Sequence, residues 1–212
     1  SLDRALTVLK TLASSEGLSL TELSEATSQS PSTVYRVLST YEKHAVVEFQ
    51  PEQQIWLIGR EAFRIGSAFQ GRSELAEHAR AEMRGLMTET GETANLAIAA
   101  DGEVMFISQV ESHQPIRAFF RPGTRGPIHA SGIGKALLAY RTTEQVDLIL
   151  QDKGLTAFTP KTITDRASLV REMIATRSRG WAIDAEERTD GMCCIAAPIF
   201  NEHKEAIAGV SI

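Results

Sequence analysis

Ser30-Pro31-Ser32-Thr33-Val34-Tyr35-Arg36-Val37-Leu38-Ser39-Thr40-Tyr41-Glu42-Lys43-His44 is the stretch that decides how this chain is read. Serine followed by proline starts a helix. The hydroxyl accepts a free backbone N–H of the first turn, and proline at the first helical position gives up a donor that has no partner there. From Pro31 onward, Val34, Val37, Leu38 and Tyr41 fall within about 100° of arc, one stripe that a core would bury. The opposite side carries Ser32, Arg36, Ser39 and Lys43, flanked by Tyr35 and Thr40, and holds no acidic residue before Glu42. A polar helix face is ordinarily just solvated, so its meaning depends on its neighbours.

Upstream, Leu2, Leu6, Leu9 and Ala13 recur at spacings of three and four and predict a first helix with one apolar stripe, ended by Gly17. A second short helix begins near Thr21, with Leu20 and Leu23 inward and Glu22 and Glu25 outward. The polar turn Thr27-Ser28-Gln29-Ser30 follows. Downstream, Val46–Phe49 and Ile55–Ile58 flank the polar tip Gln50-Pro51-Glu52-Gln53-Gln54 and predict a hairpin. Helix, helix, turn, helix, hairpin is the winged helix-turn-helix order, in which the third helix enters the major groove of duplex DNA. Arginine donates two bonds to guanine, and serine or threonine hydroxyls reach bases or phosphates. The candidate DNA contacts are therefore Ser30, Ser32, Thr33, Tyr35, Arg36 and Ser39. The hairpin tip holds Glu52 and no Lys or Arg, so it is a poor phosphate clamp.

Charge does not advertise this role. The 212 residues carry a formal net charge of −5. Residues 1–71 hold six Lys/Arg and eight Asp/Glu, and residues 72–212 hold 16 and 19, so neither part is basic. DNA binding would have to rest on a few placed contacts and on a multimer rather than on a basic field. Apolar residues make up 42% and charged residues 23%, a globular profile with no run of about 18 apolar residues that would span a membrane. The start, Ser1-Leu2-Asp3-Arg4, has no signal-peptide pattern, and adjacent Cys193 and Cys194 rarely meet disulfide geometry. A cytoplasmic chain with free thiols is expected. Both ends read as trimmed, with the last strand continuing past Ile212.

Gly59 to Gly71 reads as a linker helix with Phe63, Ile65 and Phe69 as apolar points. The division expected is a winged helix over 1–58, a linker over 59–71 and a second domain over 72–212. In the second domain, Ser73–Thr90, Ser131–Tyr140, Thr143–Leu150 and Asp165–Arg179 read as helices. Thr93–Ala99, Val104–Val110, Ile116–Phe120, Trp181–Ile183, Cys193–Phe200 and Ala206–Ile212 read as strands, with a turn at Asp101-Gly102. Hairpins interrupted by helices give an α+β fold with an antiparallel sheet.

Two stretches here carry chemistry. Pro127-Ile128-His129-Ala130-Ser131-Gly132-Ile133-Gly134-Lys135-Ala136 is a glycine-rich turn ahead of a helix, where free N–H groups suit a carboxylate or phosphate. It is not a nucleotide-binding loop: His129 stands where that pattern needs its first glycine, and Ala136 follows the lysine. Its plainer reading is a tight turn that lets helix and sheet pack closely. Asp184-Ala185-Glu186-Glu187-Arg188-Thr189-Asp190-Gly191-Met192-Cys193-Cys194 is an acidic loop entering an apolar strand. It lacks the paired His/Cys spacing of a metal site, and no cofactor is implied. Catalysis would need Cys194 and His129 to meet, which nothing in the sequence requires; the plainer reading of the thiols is as small buried apolar side chains.

The residues resemble the isocitrate lyase regulator (IclR) family of bacterial transcription factors, and the resemblance spans the chain. It is carried by Leu2-Asp3-Arg4-Ala5-Leu6 through Ser30-Pro31-Ser32-Thr33-Val34-Tyr35-Arg36 and by His129-Ala130-Ser131-Gly132-Ile133-Gly134-Lys135-Ala136-Leu137-Leu138-Ala139. It continues in Gly180-Trp181-Ala182-Ile183-Asp184, Glu187, Gly191 and Cys194-Ile195-Ala196-Ala197-Pro198-Ile199. The resemblance implies a GAF-like effector-binding domain, a small organic acid such as glyoxylate or pyruvate as effector, and a homodimer or tetramer on double-stranded operator DNA. It places the effector at Gly132, Ile133, Asp184, Cys194 and Ser211. Backbone N–H groups at Gly132 and Ile133 would hold the carboxylate, and Asp184, Cys194 and Ser211 would meet the carbonyl or hydroxyl end. Ile133 stands where the best-matching members have a small residue, which reshapes the pocket. A repressor of a catabolic operon is the expected role; the alternatives are an activator of the same family, or a metabolite-binding module or enzyme without DNA binding.

Overall fold

The computed structural model describes residues 2–70, 74–114 and 120–212. The chain divides into two compact units, Ser1–Ser73 and Glu74–Ile212.

In the first unit, helices α1 (Leu2–Ala13), α2 (Leu20–Thr27) and α3 (Pro31–Lys43) precede strands β1 (Val47–Gln50) and β2 (Ile55–Ile58), and α4 (Arg60–Gln70) follows. Local chemistry sets the helix starts. Ser19 caps α2 in a reciprocal box: its hydroxyl accepts from the Glu22 N–H at 3.3 Å, and the Glu22 carboxylate accepts from the Ser19 N–H at 2.8 Å. Ser30 caps α3, accepting from the Thr33 N–H at 3.3 Å, with Pro31 at the first position. Val8, Leu12, Leu23, Val34, Leu38, Val47 and Trp56 form the buried core. β1 and β2 pair antiparallel from Val47↔Ile58 to Gln50↔Ile55. Leu18 adds a short bridge to Trp56, exchanging backbone hydrogen bonds of 3.1 and 2.8 Å. Gly17 permits it: its φ is +125°, and a Cβ there would lie 2.8 Å from the side chains of Ile55 and Leu57.

The buried stripe of α1 is not the expected one. Val8 and Leu12 are buried, with Ala5 and Leu9 beside them, whereas Leu2 and Leu6 are 75% and 41% exposed. The helix is apolar over a wide arc, and packing against α2 and α3 selects which part is covered. α4 is amphipathic but buries none of its described side chains: Phe63, Ile65 and Phe69 are all exposed within the chain.

The second unit opens with α5 (Glu74–Thr90), β3 (Ala94–Ala100), β4 (Glu103–Val110) and β5 (Arg125–Pro127). Helices α6 (Gly132–Leu138), α7 (Thr143–Lys153) and α8 (Arg166–Arg179) follow, and then β6 (Ala182–Ala185), β7 (Cys193–Phe200) and β8 (Ala206–Ser211). The six described strands form one curled antiparallel sheet in the order β5-β4-β3-β8-β7-β6. Met83 of α5 packs on one face against Leu96, Ile107 and Ala208. Helices α6, α7 and α8 cover the other face with Ile133, Leu137, Val146, Leu169 and Met173. The strand expected at Ile116–Phe120 lies, but for Phe120, outside the described residues. The short strand that pairs with β4 is Arg125–Pro127, which has too few apolar residues to announce itself. No described helix is long and apolar enough to cross a membrane.

Leu38 is fully buried at the centre of the first core. Leu38→Ala is expected to cost about 2–5 kcal/mol, read as a lower urea midpoint for the Ser1–Ser73 unit by circular dichroism.

Candidate functional site

Helix α3 presents the face that the sequence singles out. Ser32, Tyr35 and Arg36 are exposed, and Thr33 and Ser39 are half-buried beside the core residues Val34 and Leu38. Exposed Ser30 is occupied at the helix start, its hydroxyl lying 3.1 Å from that of Ser32 and 2.9 Å from that of Thr33. The hairpin tip, residues 51–54, is exposed and contributes no cation.

In the second unit a cavity of about 680 Å³ opens between α6 and the sheet. Strand register builds its floor. Asn95 pairs with Ser211 across β3 and β8, Ser211 with Ala196 across β8 and β7, and Asp184 with Cys194 across β6 and β7. Directly opposed residues share a face, so Asn95, Ser211, Cys194 and Asp184 all point toward α6. Ile133, Asp184, Cys194 and Ser211 line the cavity together. Gly132 sits at its edge: a Cβ there would lie 2.7 Å from the Cys194 sulfur and 3.2 Å from the Ala196 Cβ. The structure thus brings all five expected positions into one place. It adds Thr93, Asn95, Ser131 and Arg188, and the aromatic pair Phe106 and Phe120, stacked at 4.3 Å.

Ile133 does not fill the opening. Its side chain is buried and packs down on Gly209, where a Cβ would lie 2.7 Å from the Ile133 Cγ2. Gly134 serves the packing role that the sequence left open, since a Cβ there would be 2.0 Å from the Ile128 carbonyl oxygen. The thiols are not the buried apolar pair expected of them: Cys193 is exposed, Cys194 is half-buried, and both line the cavity. Burial pushes the Cys194 thiol up to about 11, with Asp184 adding to the effect, so it is protonated at neutral pH and a poor nucleophile. His129 is engaged elsewhere, its Nε2 lying 3.0 Å from the Thr156 carbonyl and its ring tilted on Phe158. Burial lowers its basicity.

Beneath the cavity lies a buried ion pair that the sequence did not reveal. Lys135 of α6 donates to Glu187 from the β6–β7 loop, and both side chains are almost wholly shielded. The Glu187 N–H donates to Asp184 at 2.8 Å, and the Glu187 carbonyl accepts from Thr162. Burial pushes the Glu187 carboxyl up while Lys135 opposes it, and burial likewise raises Asp184. The i+3 step from Asp184 to Glu187 is a loop signal visible in sequence. Its partner Lys135, 52 residues earlier, is not. The described residues contain no group of three or more metal-ligating side chains.

A winged helix-turn-helix unit followed by a domain with a polar cavity defines a ligand-responsive DNA-binding regulator, and the comparisons with known proteins place it. Residues 1–51 match the IclR helix-turn-helix domain and residues 68–212 match the bacterial transcriptional regulator IclR C-terminal domain. The chain belongs to the IclR family of bacterial transcriptional regulators, which act as DNA-binding proteins rather than enzymes. It is 52% identical to the HTH-type transcriptional regulator BhcR of Paracoccus denitrificans, over 100% of this chain and 76% of that one. It is 39% identical to the transcriptional repressor IclR of Escherichia coli, over 100% and 78%. Among solved structures, the regulator from Alicyclobacillus acidocaldarius superposes with a TM-score of 0.87 at 28% identity, over 99% of this chain and 85% of that one.

Lys135→Met leaves Glu187 buried without its partner and is expected to cost about 3–5 kcal/mol. The double variant Lys135→Met/Glu187→Leu removes both charges and should recover most of that loss, as read by thermal unfolding of each variant against wild type.

Proposed function

We propose that this regulator is a repressor of a catabolic operon that releases its operator when a small organic acid binds the α6–sheet cavity. The observation that carries the ligand reading is the convergence of Asp184, Cys194 and Ser211 on one cavity wall beside Gly132 and Ile133. With Cys194 protonated and Ser211 a hydroxyl, the wall offers donors to a carbonyl oxygen, and Asp184 offers an acceptor to a hydroxyl, as a glyoxylate- or pyruvate-like acid requires. The backbone N–H groups of Gly132 and Ile133 are the proposed carboxylate contacts. The name of the Escherichia coli relative supports repression as the sign of control.

Residues 1–58 act as the reader, 59–71 as the linker and 72–212 as the sensor. Ser30, Ser32, Thr33, Tyr35, Arg36 and Ser39 meet the major groove, with Arg36 as the base-reading residue. A homodimer or tetramer presents two copies of α3 to successive grooves, which compensates for the absence of a basic field. The exposed Phe63, Ile65 and Phe69 of α4 support self-association, because an apolar helix face of this kind is costly in water. The site of action is the cytoplasm, where operator DNA is.

Arg36→Ala is expected to weaken operator binding by about 1–3 kcal/mol and to relax one base position. A gel-shift titration against the upstream intergenic region, with single-base variants, measures both, and unchanged affinity and specificity would remove Arg36 from the reading face. Asp184→Ala should bind operator as wild type does without ligand, yet fail to respond to glyoxylate or pyruvate. Calorimetry that shows the same acid binding in wild type and Asp184→Ala would sink the cavity assignment.

A further inference from the structure

Arg188 is the one cation lining the cavity among the described residues. The same cavity is lined by Glu92, Asp184 and Asp190. Yet Arg188 makes no ion pair or hydrogen bond with any of them, although its charge is felt at Asp184. A half-buried guanidinium with five donors and no protein partner among the described residues is available to a ligand, and a planar carboxylate is the group that matches it best.

Its position is built. Arg188 leaves the loop after β6, one edge of the curled sheet, and reaches β5, the opposite edge. There its guanidinium lies against Gly126, where a Cβ would fall 2.4 Å from the Arg188 Nη1 and 3.4 Å from the Val104 Cγ2. Val104, opposite Gly126 in register, lines the same cavity with Phe106 and Phe120. Asp184, Cys194 and Ser211 lie on strands β6, β7 and β8, toward the other side of the sheet. At about 680 Å³ the cavity is much larger than an acid of two or three carbons, since a water occupies roughly 30 Å³ of liquid.

We infer that Arg188 is the specificity-determining residue of this cavity and that it binds a second carboxylate, so that the effector is a short 2-oxo or 2-hydroxy dicarboxylate. The oxo or hydroxy head meets Asp184, Cys194 and Ser211, and the distal carboxylate meets the guanidinium beside Gly126. This rests on the small-acid reading above and narrows it.

The test pairs ligands that differ only at the distal end: 2-oxoglutarate against 2-oxopentanoate, and malate against 2-hydroxybutyrate, with pyruvate and glyoxylate as short acids. Calorimetry on the full chain is expected to show each dicarboxylate binding at least about tenfold tighter than its matched monoacid, as a site built to hydrogen-bond a group rejects the analogue that lacks it. Arg188→Gln should bring each pair within about twofold and leave pyruvate unchanged. Gly126→Ala, which displaces the guanidinium without removing it, should narrow the preference in the same direction. This second variant guards against a folding defect in the first. Equal binding of the matched acids by wild type, or an Arg188→Gln loss as large for pyruvate as for malate, overturns the inference. Binding of pyruvate or glyoxylate without either dicarboxylate overturns it alone and leaves the small-acid reading standing. Failure of every acid to bind overturns both.

Discussion

All seven residues of α6 are buried, and a helix with no solvent face can lie on a sheet only where something makes room for it. Three glycines do so. Gly134 meets the Ile128 backbone, Gly132 meets Cys194 and Ala196, and Gly209 of β8 receives Ile133. At each position a methyl group would stand well inside contact distance: Gly132 and Gly209 let helix and sheet approach at a separation that larger residues forbid, and Gly134 lets the turn ahead of the helix fold against it. The one polar side chain that this approach traps, Lys135, is met by Glu187. The cavity is what remains at the end of this close contact, where Ser131 caps the helix and the floor turns polar.

The first unit solves a different problem with few charges. Its small core of seven buried apolar residues fixes α3 against α1, α2 and the hairpin, so the orientation of the exposed Ser32, Tyr35 and Arg36 is set by Val34 and Leu38 on the other side of the same helix. A polar face held by a packed core is preorganised, and this matters more when no basic field draws DNA in.

Much of this was legible in the chain. The Ser30-Pro31 start, the two strand runs around Asp101-Gly102 and the glycine-rich turn at 132–134 are local signals, and the structure has a helix cap, a hairpin and a close approach at those places. The family resemblance named five positions, and the structure places four of them on one cavity with Gly132 at its edge, although no local pattern joins residue 132 to residue 211. What stayed hidden depends on tertiary contact. Which part of the wide apolar arc of α1 is covered is decided by what packs on it. The Arg125–Pro127 strand exists through its pairing with β4 and carries little propensity of its own. Nothing near Lys135 in sequence marks it for burial, and its partner Glu187 arrives from a loop 52 residues away. Arg188 sits in an acidic run, and only the fold carries its guanidinium to Gly126.

The curl of the sheet gives a ligand something to act on. A ligand shifts a conformational equilibrium only by binding one arrangement better than another. Asp184 stands on β6, and Arg188 follows in the loop that ends against Gly126 of β5, so that loop links one edge of the sheet to the other beside the cavity. A molecule that touches both Asp184 and Arg188 binds best at one placement of that loop and therefore discriminates between degrees of curl. The loop that carries Arg188 is also tied to α6 through Glu187 and Lys135, so a change in its position bears directly on the helix that has no slack against the sheet. Tight packing of this sort favours two discrete arrangements over continuous deformation. A coupling free energy of about 1–3 kcal/mol is typical of such two-state elements and is enough to change site affinity by roughly 5–150-fold.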